Sequence, residues 1–131
     1  MSRYSLYTNG KDSLAILERD AQVISDATTM AELLMELIFV HGIDRLVIDA
    51  DQLSPDFFRL STGLAGDITQ KFSNHRAYLA IIGDPTAYTG KALQDYIRES
   101  NRSGQIVFAA NLEEACAFWK IPHQFALISA L

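Results

Sequence analysis

Residues 44–72 read DRLVIDADQLSPDFFRLSTGLAGDITQKF. Leu46-Val47-Ile48 is apolar at three consecutive positions, so an extended segment here would be buried on both faces, as an interior parallel strand is. An acidic turn follows at Asp49-Ala50-Asp51. Ser54-Pro55 then sets a capping hydroxyl before proline at a first helical position, which predicts one short turn over 55–59. The main helix is predicted from Thr62, with Leu64, Ile68 and Phe72 on one side. Gly63 and Gly66 each lower its propensity by about 1 kcal/mol relative to alanine. Close packing against the sheet is the expected reason for keeping them.

Upstream, Tyr4–Thr8 and Ser13–Glu18 read as two strands around Asn9-Gly10, a pair suited to positive φ at both centres of a tight hairpin turn. Leu14 and Ile16 share one face by the two-residue period. Thr29-x-x-Glu32 has the form of a capping box and predicts a helix carrying Met30, Leu33, Leu34, Leu37 and Ile38 inward. His41 falls in its last turn and Gly42 just past its end. Downstream, Ala77–Ile82 is a second doubly apolar strand, and Lys91–Ser100 a helix with Leu93, Tyr96 and Ile97. Gln105–Ala109 is the last strand of the repeat. Asn111 then caps a helix with Glu114 three residues on and Ala115, Cys116 and Trp119 inside.

This alternation predicts an α/β single domain: an N-terminal β-hairpin, then β-α repeats on a mostly parallel five-stranded sheet. If strand order follows the chain, the crossover helices share one face. The domain is expected over 1–120. The apolar tail 121–131, with Phe125, Ile128 and Leu131 along a short helix after Pro122, is expected to cover the second face or a homodimer partner.

The 131 residues form one domain, long enough to bury roughly two-thirds of the surface the unfolded chain exposes. A net charge of −5 disfavours nucleic acid and anionic membrane as partners. The opening MSRYSLYTNG lacks a signal peptide's apolar core, and the run Leu33–Val40 is far short of a membrane span. A single cysteine, Cys116, calls for no oxidising compartment and reads as a small core residue. A cytoplasmic setting is the expectation.

Chemistry in open parallel sheets gathers beyond the carboxyl ends of strands. Asp49, Asp51 and Asp84 arrive there, and with Tyr88, Thr89 and Lys91 they form a candidate small-molecule or Mg²⁺ site. Aspartates also bond nearby amides in turns, the favoured reading for this trio. Asp49-Ala50-Asp51 and Gly83-Asp84 resemble fragments of haloacid-dehalogenase phosphatases, but the threonine and second acid of that pattern do not follow. No P-loop, dinucleotide fingerprint, nucleophile elbow or zinc spacing occurs, so no cofactor and no catalytic residue is expected.

The segment LVIDADQLSPDFFRLSTGLAGDITQKF resembles the STAS domains, the anti-sigma-factor antagonists and cytoplasmic domains of sulfate transporters. The resemblance implies a β-α superhelix and sets Ser61 and Thr62 on that family's serine pair, with Gly63-Leu64 on its glycine-leucine. Ser61 would then be the phosphorylation site, although the family's preceding Asp is Leu60 here. FFRLSTGLAGDITQKF, LAIIGDPTAYTGKALQDYIRESN and Asn-Leu-Glu-Glu-Ala are also similar, in type and order, to the bacterial domain of unknown function 4180 family. Together these imply a non-enzymatic module that binds a protein partner through Phe57, Phe58, Arg59, Ser61, Thr62 and Gly63, switched by phosphorylation of Ser61 or Thr62.

Overall fold

The computed structural model describes residues 3–128. Its elements are β1 (Tyr4–Thr8), β2 (Ser13–Leu17), α1 (Ala27–His41), β3 (Arg45–Asp49), α2 (Leu64–Asn74), β4 (Tyr78–Ile82), α3 (Lys91–Ser103), β5 (Ile106–Ala109), α4 (Leu112–Trp119) and β6 (Ala126–Leu127). Three short 3-10 turns, at 50–52, 55–58 and 60–62, lead from β3 into α2.

The sheet is six-stranded and mixed, in the order β5-β4-β3-β2-β1-β6. β2 to β5 run parallel, each beside its predecessor, while β1 is antiparallel to both β2 and β6. The expected five strands become six because part of the tail is extended, not helical. Lys120 ends α4 at φ +61, and beyond Pro122 the chain reaches the outer edge of β1. There Tyr7 faces Leu127, and the Ile128 amide donates to the Leu6 carbonyl at 2.8 Å. Backbone groups on an edge strand need partners, and a two-residue strand supplies some of them. Leu131 lies outside the described residues.

Two local expectations are corrected by competing side chains. The hairpin loop has four residues, since Thr8 pairs with Ser13. Asn9 Oδ1 accepts from the Lys11 and Asp12 amides at 3.0 and 2.6 Å, leaving only Gly10 at positive φ. In α1 the cap is Asp26, whose carboxylate accepts from the Thr29 amide at 2.6 Å, so the helix opens before the anticipated Thr29. Gly42, left-handed at φ +67, closes it as expected.

The core has two parts, divided by the sheet. On one face Met30, Leu34 and Leu37 of α1 and Ile68 and Phe72 of α2 meet Leu46, Ile48, Leu79 and Ile81. Tyr96 and Ile97 of α3 pack on the same cluster, so all three crossover helices share this face. On the other face Ala115, Cys116 and Trp119 of α4 cover Val47, Ala80 and Val107, with Ile121 and Phe125 alongside. Cys116 is fully buried, and burial pushes its thiol up. No described helix is long and apolar enough to cross a membrane.

Candidate functional site

Beyond β3 the chain makes a corner. Ser54 Oγ accepts from the Asp56 amide and Pro55 opens the 55–58 turn, as the sequence predicts. That turn sends its two phenylalanines in different directions. Phe57 is 0% exposed and meets Tyr96 and Phe108 with ring centroids 6.5 and 6.3 Å apart. Phe58 is half-buried and stacks on Tyr88 at 5.3 Å and 12°. The next turn, 60–62, is tied down by Thr62. Its single O–H is shared between the Asp56 and Arg59 carbonyls, at 2.7 and 2.9 Å, and its Oγ1 accepts from the Leu64 amide at 3.3 Å. Gly63, at φ +81, is the N-cap of α2.

Of the residues expected to meet a partner, Arg59, Ser61, Thr62 and Gly63 are therefore at the surface, Phe58 is at its margin, and Phe57 is in the core. The Thr62 hydroxyl already holds the corner together, whereas Ser61 stands exposed beside it. The expected tight packing at the glycines is absent: a Cβ on Gly63 or Gly66 would meet nothing within 4 Å. Gly63 is explained by its backbone angle. Gly66 sits in the first turns of α2 without such a constraint, so Gly66→Ala should raise the unfolding free energy by about 0.5–1 kcal/mol. A urea midpoint that falls instead would show that the position is crowded.

The acidic residues have partners of their own. Arg19 Nη1 donates to Asp49 Oδ2 at 2.5 Å and to Asp51 Oδ1 at 2.9 Å, while its Nη2 donates to Asp51 Oδ2 at 3.0 Å. The Arg19 guanidinium holds the Asp51 carboxyl below the usual range. Asp84 accepts from the amide and hydroxyl of Thr86 at 2.9 and 2.7 Å, bonds that lower its pKa too. Lys91 pairs with Asp95 four residues on, at 2.9 Å, and Thr89 is exposed. Among the described residues no three His, Cys, Asp or Glu side chains come together to hold a metal. Sequence reading missed Arg19 and also Gln52, which is 3% exposed. Gln52 Nε2 donates to the Glu18 carbonyl at 2.7 Å and its Oε1 accepts from the Asp49 amide at 2.8 Å. Both link the end of β2 to the end of β3, a neighbour relation visible only once strand order is known.

The depressed carboxyls set an acid limit. Asp51, Asp84, Asp26 at the α1 cap, and Asp95 between Lys91 and Arg98 all have folded pKa values below the ordinary ones. Their contribution is present above the unfolded value, about 3.9 for Asp, and is lost as pH falls through the lower folded values. The urea midpoint should hold from about pH 7 to 5 and decline below about 4, less steeply in Asp26→Asn. An Asp26→Asn chain whose acid limb matches the native one would remove the cap from this account.

Tyr88 leads to a cavity. Its hydroxyl is buried without a hydrogen-bond partner among the described residues, and burial, with Asp84 nearby, pushes its pKa up. The hydroxyl lies 2.8 Å from the point a Cβ on Gly83 would occupy. Gly83 and Tyr88 both line a cavity of about 420 Å³ at the carboxyl ends of β4 and β5, which α3 and α4 also border.

Architecture and site together define a mixed α/β domain that carries an exposed, hydroxyl-bearing corner at the end of an interior strand. The family model described as Domain of unknown function (DUF4180) matches residues 9–118, and the chain belongs to that family. The match runs from the β1–β2 loop into α4, leaving β1 and β6 outside it. No curated protein matches the chain, and no solved structure does.

Proposed function

We propose that this protein is a STAS-like regulatory module that docks a protein partner through the corner at residues 54–63, with phosphorylation of Ser61 as the switch. On this reading it is bacterial and cytoplasmic. The observation that carries the proposal is the exposed Ser61 on a turn that Thr62 and buried Phe57 hold in place just before α2. The order of a hairpin followed by β-α units, each strand beside the last, supports the STAS-like assignment. A rigid corner loses little conformational freedom on docking, which favours its use as a recognition surface.

Phosphorylation would add about −1.5 to −2 charge at Ser61. Asp56 and Asp67 are exposed on either side of the corner, and Arg59 lies only 3.9 Å from Asp56. A phosphate there would compete for Arg59 and repel an acidic partner. Thr62 is the poorer acceptor, because modification would sever its bonds to Asp56 and Arg59. Mg²⁺-dependent or small-molecule chemistry at Asp49, Asp51 and Asp84 has less support, since Arg19 and Thr86 engage those carboxylates. A homodimer through the tail remains open to β6, which is the outermost strand and leaves Leu127 62% exposed.

Co-purification from the native host, with mass spectrometry of both bait and captured proteins, tests the reading. Ser61→Ala should keep the partner and change stability by less than about 0.5 kcal/mol. Ser61→Asp should lose the same partner, and native bait should carry phosphate at Ser61. Equal capture by both variants, with no phosphate on the native chain, would overturn the switch.

A further inference from the structure

At the carboxyl end of β5 the chain changes sides. α3, before the strand, packs on the first face, and α4, after it, on the second. Crevices where helices part beyond strand ends are where open α/β sheets take ligands. The cavity of about 420 Å³ lies at this point, within the range of roughly 300–1,000 Å³ that holds small molecules.

Its walls specify a chemistry. Phe108 and Ala109 of β5, Ile97 of α3 and the ring of Tyr88 supply apolar surface. Arg98 projects from α3 and Glu114 from α4, one charge of each sign from the two helices that border the cavity. They are not paired with each other: Arg98 Nη1 bonds Asp95 at 2.8 Å, and Glu114 Oε1 accepts from the Ala110 amide at 3.1 Å. Each keeps capacity for a further bond, since a guanidinium has five N–H donors and a carboxylate two oxygens. Arg98 is 63% exposed and bonds Asp95 through Nη1, which leaves its other N–H donors for a bound anion.

We propose that this cavity binds a small ring-bearing zwitterion, of which an aromatic α-amino acid is the simplest. The ring lies against Phe108 and Ile97, the carboxylate meets Arg98, and the ammonium meets Glu114. The cavity adjoins the Ser61 corner through the Phe58–Tyr88 stack but does not depend on the docking proposal.

Titration of the full ¹⁵N-labelled chain with L-phenylalanine tests it, with benzoate and phenethylamine as probes bearing one charge each. The expected result is saturable shifts of the Ile97, Phe108 and Ala109 amides, with L-phenylalanine roughly tenfold tighter than either single-charge probe. Arg98→Gln should weaken L-phenylalanine and benzoate but spare phenethylamine, and Glu114→Gln should weaken L-phenylalanine and phenethylamine but spare benzoate. Glu114→Gln retains an oxygen for the Ala110 amide, so the start of α4 survives the change. The proposal is overturned if shifts stay linear up to about 10 mM, centre on other residues, or saturate equally for all three probes. It is also overturned if neither variant changes the affinities.

Discussion

Phe57→Ala should lower the unfolding free energy by about 3–5 kcal/mol, the range for a buried aromatic cut to alanine. The side chain is fully buried, and three rings, Phe58, Tyr96 and Phe108, meet it at centroid distances of 5.1 to 6.5 Å. Its loss opens a void beneath the Ser61 corner, in the core on the face that α1, α2 and α3 cover. Arg59→Ala, two residues away on the exposed side, should change stability by less than about 1 kcal/mol. Urea denaturation of the two variants checks the contrast, and Phe57→Leu serves if the alanine variant does not accumulate. A Phe57→Ala cost equal to that of Arg59→Ala would mean that the corner is not seated in the core.

Gln52→Ala should cost about 1–3 kcal/mol, because it strands the Asp49 amide and removes one of the two bonds that the Glu18 carbonyl accepts. The Asp49 amide would lose its acceptor, while the Glu18 carbonyl would keep the Ala21 amide at 3.0 Å. Gln52→Leu, which keeps the bulk, should lose nearly as much if hydrogen bonding is the cause. Gln52→Glu restores the acceptor only and sets a third negative charge beside Asp49 and Asp51, so it should not recover the native value. Hydrogen exchange at the Asp49 amide gives a local readout and should accelerate in Gln52→Ala and Gln52→Leu but not in Gln52→Glu, which keeps that acceptor. Native-like stability in Gln52→Leu would assign the residue to packing.

Much of the fold is legible because its signals are local. Leu46–Ile48 and Ala77–Ile82 announce interior strands by being apolar at consecutive positions, and both form them. Ser54-Pro55, Asn111 with Glu114, and Gly42 mark helix or turn ends whose bonds lie within a few residues. What escaped depends on distant partners. β6 exists because β1 presents an edge, which nothing in Ala126-Leu127 itself reveals. Arg19 reads as a charge after a strand until β2 is placed beside β3, where it meets Asp49 and Asp51. Phe57 and Phe58 are the same residue type at adjacent positions, and only the direction of a 3-10 turn sends one inward. Gly66 misled for a different reason: a helix can carry an unnecessary glycine when its buried face, here Leu64, Ala65, Ile68 and Phe72, is strong enough.

The junction of β6 with β1 has a consequence for biosynthesis. Along the parallel part of the sheet each new strand joins the one made just before it, so those contacts can form progressively as the polypeptide leaves the ribosome. β1 is made first, yet its outer backbone partner at residues 126–127 emerges only after every other strand. During translation the nascent domain therefore exposes an unsatisfied ribbon to any other extended peptide. That interval is when the whole outer edge of β1 is open, and when chain-to-chain mispairing is most favoured.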